Sequence, residues 1–149
     1  MVSISKMFSK EWFRRDVIVI IAFLVLQFIL GMSLNLFVAF PSIPAGSTDQ
    51  AYLNAIVTTP FLLEHFMVGV GLLLGSIWIL ASALKLRRKG LSAIAAVGFI
   101  SILTAYVSGF EFLLSGFQND ALSFVMSLGF IVALVSYFRL YQLGTKLKG

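Results

Sequence analysis

The chain has 149 residues, of which 60% are hydrophobic, 14% aromatic and 11% charged, with a mean hydropathy of +1.02 and a net charge of +5. A water-soluble domain averages roughly 45–50% apolar and about 25% charged residues, so this composition excludes a soluble globular domain and a disordered chain alike. Cysteine is absent and histidine occurs once, which excludes a disulfide framework, an iron–sulfur cluster, a covalently attached haem and a multi-histidine metal centre within one chain.

The elements follow in chain order. Residues 5–16 set Met7, Phe8, Trp12 and Phe13 among charges and predict a short interfacial helix with Trp12 at headgroup level. The first apolar segment, 17–40, is too long for the apolar core of a cleavable signal peptide and reads as a spanning helix. Pro41 and Pro44 break it. In the long loop that follows, Ser47 and Gln50 have capping-box spacing. Tyr52, Leu53, Ile56 and Val57 recur at helical spacing. The loop therefore predicts a helix over 48–58, either lying on the outer surface or continuing, kinked, into the next segment. Three more apolar segments, 60–84, 91–115 and 120–143, are each long enough to cross about 30 Å of hydrocarbon as a helix. Tight turns at 85–90 and 116–119 force neighbours to run antiparallel. The expected fold is all-α: one transmembrane domain, an up-down-up-down four-helix bundle.

Charge placement sets the expected orientation. All eleven Lys and Arg fall before the first segment, in the 85–90 turn, or in the last residues of the chain. Asp49, Glu64, Glu111 and Asp120 lie on the other side. The positive-inside rule then puts both termini in the cytoplasm of a multi-pass cell-membrane protein. The pI of 9.8 is thereby a signal of topology, with anionic lipid as partner, and nucleic-acid binding is not expected.

Small residues spaced four apart occur at Gly71/Gly75, Ala105/Gly109 and Gly129/Ala133. Such pairs allow close helix packing, within one chain or in a homodimer. Ionisable residues inside spanning helices need a reason, at about 2.5–3.5 kcal/mol each at mid-membrane. Three are present: Glu64 and His65 in the second segment and Glu111 in the third. All three lie about one turn from the outer surface, at the same depth as Asn35, Ser123 and Met126 of the first and fourth segments. Glu64 and Glu111 read either as interfacial groups or as proton or cation sites. Glu64 and His65, about 100° apart around the helix, read as a possible buried pair, structural or proton-handling. Phe61, Phe66, Phe110, Phe112, Phe117 and Phe124 cluster near this level. One histidine, one thioether, aromatic walls and nearby glycines suit a flat apolar ligand such as haem b or a quinone head.

At these residues the chain resembles the heme A synthase family in its half-size, four-helix form. The stretch Leu62-Leu63-Glu64-His65-Phe66-Met67-Val68-Gly69 is similar to that family's E-x-x-H-R-x-x-G motif. Leu26-Gln27-Phe28-Ile29-Leu30-Gly31 is similar to its Q-x-x-L-G run. The resemblance implies haem ligation by His65. Leu62 stands where the family has its acid, Phe66 where it has arginine, and Ser123 near its second histidine. Met126, one turn on, or His65 of a second copy would then be the opposite ligand. The implied role is haem handling or electron transfer. Two other functions are expected from the residues themselves. One is a cofactor-free accessory or assembly subunit of a larger membrane complex. The other is a quinone-binding protein or a proton-coupled small transporter. No P-loop, nucleophile elbow or zinc-protease motif is present in the sequence, and the chain is not expected to be an enzyme on its own.

Overall fold

The computed structural model of the chain describes residues 10–44 and 46–145. Among the described residues there are five helices and no strand. They are α1 (Lys10–Phe37), α2 (Asp49–Thr58), α3 (Pro60–Lys85), α4 (Lys89–Leu114) and α5 (Asp120–Thr145). All but α2 are long and apolar enough to cross a membrane, and such runs satisfy their own backbone in hydrocarbon only as helices.

Over its described residues, the helix expected over 5–16 runs on without a break into the first long apolar helix. Residues 5–9 lie outside the described residues, and 10–16 are the opening turns of α1 itself. No proline or glycine interrupts the chain between Lys10 and Leu30, so nothing divides the helix. Phe13 and Val17 are buried in the bundle, so this stretch packs rather than floats. At its other end α1 stops at Phe37 rather than Phe40, because the residue before a proline disfavours the helical region.

The outer loop also differs in detail. The capping box does not form. Ser47 Oγ donates to the Pro44 carbonyl at 2.6 Å, and Gln50 bonds Asn54 instead. Thr48 becomes the N-cap, without a side-chain bond. The helix is a separate element: Thr59, extended at φ −111° and ψ 96°, ends α2 and starts α3, whose first residue is Pro60. Proline suits that position because its missing N–H would have no helical partner there. Tyr52, Ala55 and Ile56 turn inward from α2. The Tyr52 hydroxyl donates to the Leu114 carbonyl at 3.0 Å and accepts the Gly46 amide at 3.1 Å, which fastens α2 over the end of α4.

Helix pairs meet at identifiable residues. Between α1 and α3, Asp16 meets Trp78, Ile20 meets Gly75, Gln27 meets Gly69 and Gly31 meets His65. Between α4 and α5, Gly98 meets Tyr137, Ala105 meets Gly129 and Gly109 meets Met126. Arg14 meets Tyr141 and Phe28 meets Phe130 between α1 and α5. Ala83 meets Ser92 and Phe66 meets Tyr106 between α3 and α4.

Buried side chains form two clusters. One occupies the end of the bundle that carries the 86–88 turn, hereafter the turn end. It is built from all four long helices, with Val17, Ile79, Ala95, Ala133, Tyr137 and Leu140 fully buried. The other lies at the opposite, loop end, where Leu34, Ile43, Tyr52, Ala55, Ile56, Leu62 and Leu113 close under α2. The outward faces stay apolar, as at Phe23, Ile29, Leu74, Ile100 and Val135. A helix that is hydrophobic all round suits lipid rather than water.

Candidate functional site

A cavity of about 280 Å³ separates the two clusters. Leu24, Leu72 and Ile102 of the turn-end cluster form its floor, and Leu34, Ile56, Leu62 and Leu113 of the loop-end cluster form its roof. The volume is just under the usual 300–1,000 Å³ of small-molecule sites.

The wall is aromatic. Phe66, Phe110, Phe112 and Phe117 line it as a group, joined by Phe28, Phe40, Phe130 and Tyr106. Phe61 and Phe124 instead face outward, at 46% and 64% exposure. Phe117 has an unusual backbone, with φ +64°, a conformation that bulky residues rarely adopt. Its ring stacks on Phe40 at 4.6 Å and meets Phe112 edge-on at 5.7 Å. Aromatic pairs of this kind are each worth about 0.5–1.5 kcal/mol beyond simple burial, enough to hold the turn in that shape.

The polar corner lies between α1 and α3. Gln27 Nε2 and His65 Nε2 are 3.1 Å apart. Two glycines make room for them: a methyl group at Gly31 would sit 3.2 Å from His65 Cε1, and one at Gly69 would sit 3.4 Å from Gln27 Nε2. Each helix thus carries one polar side chain and, four residues on, the notch that receives its partner. His65 Nδ1 and Gln27 Oε1 are buried with no hydrogen-bond partner. If the Gln27 amide N–H donates to Nε2, the ring proton sits on Nδ1 and Oε1 is a spare acceptor. With the amide turned over, the roles reverse. Either way the pair is short of one donor contact and one acceptor contact.

The expected site residues divide into two groups. His65, Met126, Asn35 and Ser123 all line the cavity. Glu64 and Glu111 are exposed and lie outside its lining, and His65 pairs with Gln27 in place of Glu64. The physical reason is the 100° step between neighbours on a helix, which turns Glu64 out when His65 turns in. Gln27 was readable as more than part of a motif: it is the only polar side chain between Val17 and Met32, and an amide in such a run needs a partner. Tyr106 gave no comparable signal.

Haem makes a specific demand, a ring nitrogen of His65 presented to the cavity. Nε2 is shared with Gln27 and Nδ1 is buried in the wall. Met126 Sδ packs toward α4, where a methyl group at Gly109 would meet it at 3.1 Å. In this arrangement the residues do not fit haem ligation. Among the described residues no group of three or more His, Cys, Asp or Glu gathers to hold another metal ion.

Fold and site together define an all-α bundle of membrane-spanning type with a largely apolar internal cavity and one polar corner. No protein-family model, no curated protein and no solved structure matches the chain.

Proposed function

We propose that this chain is a multi-pass cell-membrane protein that binds a lipid-soluble ring compound with a polar head, of the quinone type, in the cavity beside His65 and Gln27. The carrying observation is the Gln27–His65 corner, with one donor and one acceptor unsatisfied in an otherwise apolar wall. Buried polar atoms without partners cost about 1–3 kcal/mol each. A ring hydroxyl or carbonyl oxygen would complete that corner once the side chains turn these buried atoms toward the cavity. A single-ring head also matches the cavity volume more closely than a four-ring macrocycle does.

The proposed course is up-down-up-down with both termini cytoplasmic. In each of the four touching pairs of long helices the partner number falls as the residue number rises, which supports it. Lys10, Arg14, Arg15, Lys85, Arg87, Arg88, Lys89 and Arg139 all belong to the turn end or its approaches, which supports the orientation.

One observation favours a second reading, a b-type haem site: His65 and Met126 line the same cavity. It requires the imidazole to leave Gln27. One experiment separates the readings. The purified protein is titrated in detergent with a decyl-substituted benzoquinone, and its melting temperature and absorption spectrum are recorded. Saturating ligand stabilises a protein by about 2.7 kcal/mol at a hundredfold excess over Kd, so the melting temperature should rise. The rise should vanish in His65→Leu and Gln27→Leu. A haem Soret band abolished by His65→Ala would replace the quinone reading with haem. A colourless protein that ignores both ligands would leave the accessory subunit of a larger membrane complex, or a homodimer of that kind.

A further inference from the structure

We infer that the cavity opens sideways into the hydrocarbon layer, through the seam between α1 and α5, and that its ligand enters from the membrane rather than from water. The inference rests on the ligand-binding reading above. Six cavity-lining residues are also exposed on the outside of the bundle: Phe28, Met32 and Asn35 on α1, Phe110 on α4, and Ser127 and Ile131 on α5. A residue that faces both the cavity and the surface marks the wall where the two communicate. Five of these six border one seam. On the α3 side the wall is closed, because no α3 residue that lines the cavity is exposed.

The seam changes character along its length. At the turn end it is shut: the Arg14 guanidinium lies over the Tyr141 ring at 5.7 Å, and a methyl group at Gly144 would meet Arg14 Cγ at 3.0 Å. Midway, Phe28 and Phe130 stack at 5.3 Å with their planes 19° apart. Their rings form the sill. Beyond the sill the edges are Met32 and Asn35 on one side and Ser123 and Ser127 on the other. Polar side chains facing lipid are unfavourable, and the neighbouring outward residues Leu36, Phe124 and Leu128 are apolar. A polar edge at this one stretch gives a ligand's polar head hydrogen-bonding groups on its way in. Ser127 Oγ, which donates to the Ser123 carbonyl at 3.0 Å, keeps its lone pairs for the hydroxyl of a reduced ring, and the Asn35 amide has N–H groups for the carbonyl of an oxidised one. The head then crosses the cavity to His65 and Gln27 on the far side.

The chain has no cysteine, so a clean chemical staple can be placed across the seam. Met32→Cys with Ser127→Cys, bridged by a short bis-maleimide in the full-length protein reconstituted in phosphatidylcholine vesicles, closes the opening without touching the polar corner. The probe is decyl benzoquinone dissolved in the same vesicles. Bridging should slow its uptake by at least about tenfold, the behaviour of a closed gate, and bridging after loading should slow release to the same degree. Ser127→Trp, a plug that needs no cross-linking, should slow both as well, and far-ultraviolet circular dichroism should be unchanged in each protein. Uptake at the unbridged rate in both the folded staple and the folded plug would overturn the lateral path while leaving the binding site standing. An unaltered protein that takes up no quinone would overturn the site and the path together.

Discussion

At the turn end, four helices close on one another so tightly that Tyr137, a large polar-tipped ring, has no exposed surface. At the loop end the same four helices stand around a cavity, and a fifth helix is needed to cover it. The difference lies in what the small residues receive. At the turn end Gly75 and Gly98 face the side chains of Ile20 and Tyr137, both part of the buried core. Gly31, Gly69 and Gly109 instead face His65, Gln27 and Met126 side chains. The same residue type makes room for core-filling side chains in one half and for cavity-lining groups in the other. Density at one end supplies the stability that lets the other end remain hollow.

The strongest test of this contrast is removal of the largest buried side chain at the dense end. Tyr137→Ala should destabilise the bundle by about 3–5 kcal/mol, the range for deleting a buried aromatic side chain. Phe110→Ala, at the cavity wall, should cost clearly less because that ring is already 46% exposed. Unfolding by sodium dodecyl sulfate in mixed micelles measures both. Equal losses would erase the distinction between the two ends.

Enlargement sharpens it from the other side. Ala133→Leu adds volume where the alanine is fully buried, and should cost about 1–3 kcal/mol by overpacking. Ser123→Leu, ten positions earlier on the same helix, grows into the cavity. It should cost less than Ala133→Leu because the added atoms meet open space rather than packed neighbours, while weakening quinone binding in the thermal-shift titration.

The two turns give the smallest effect. Arg87 and Phe117 both hold positive φ, 52° and 64°. Arg87 is exposed, so Arg87→Gly should relieve strain and stabilise by up to about 1 kcal/mol. Phe117→Gly relieves similar strain but forfeits the contacts with Phe40 and Phe112, and should destabilise. Thermal denaturation of the two variants side by side decides the sign.

Four long apolar helices were legible from the sequence because hydrophobic length is a strong signal and lipid leaves the backbone no alternative to helix. The Phe13–Val17 stretch was harder to read, since aromatics among charges look the same whether they lie on a membrane or pack in a core. The site was legible in depth and not in direction. Glu64, His65, Glu111, Asn35, Ser123 and Met126 share one level, but level alone does not say which of them look inward. That is decided by the rotation of each helix about its axis, which is set by contacts with neighbours remote in sequence, such as Gly31 against His65. The cavity itself had no local signature, because it is a property of how two clusters fail to meet.

The pairing of Gln27 and Gly31 with Gly69 and His65 has a mechanical consequence. Each side chain fits the other helix's notch only when the two helices stand at one register. Sliding α1 by one turn, about 5.4 Å, would set Gln27 level with the imidazole and Phe61 level with Gly31, or Gln27 level with Leu73 and Asn35 level with the imidazole. In either position neither notch would be filled by its own partner. The four residues therefore act as a key that fixes the register of α1 against α3 and blocks sliding.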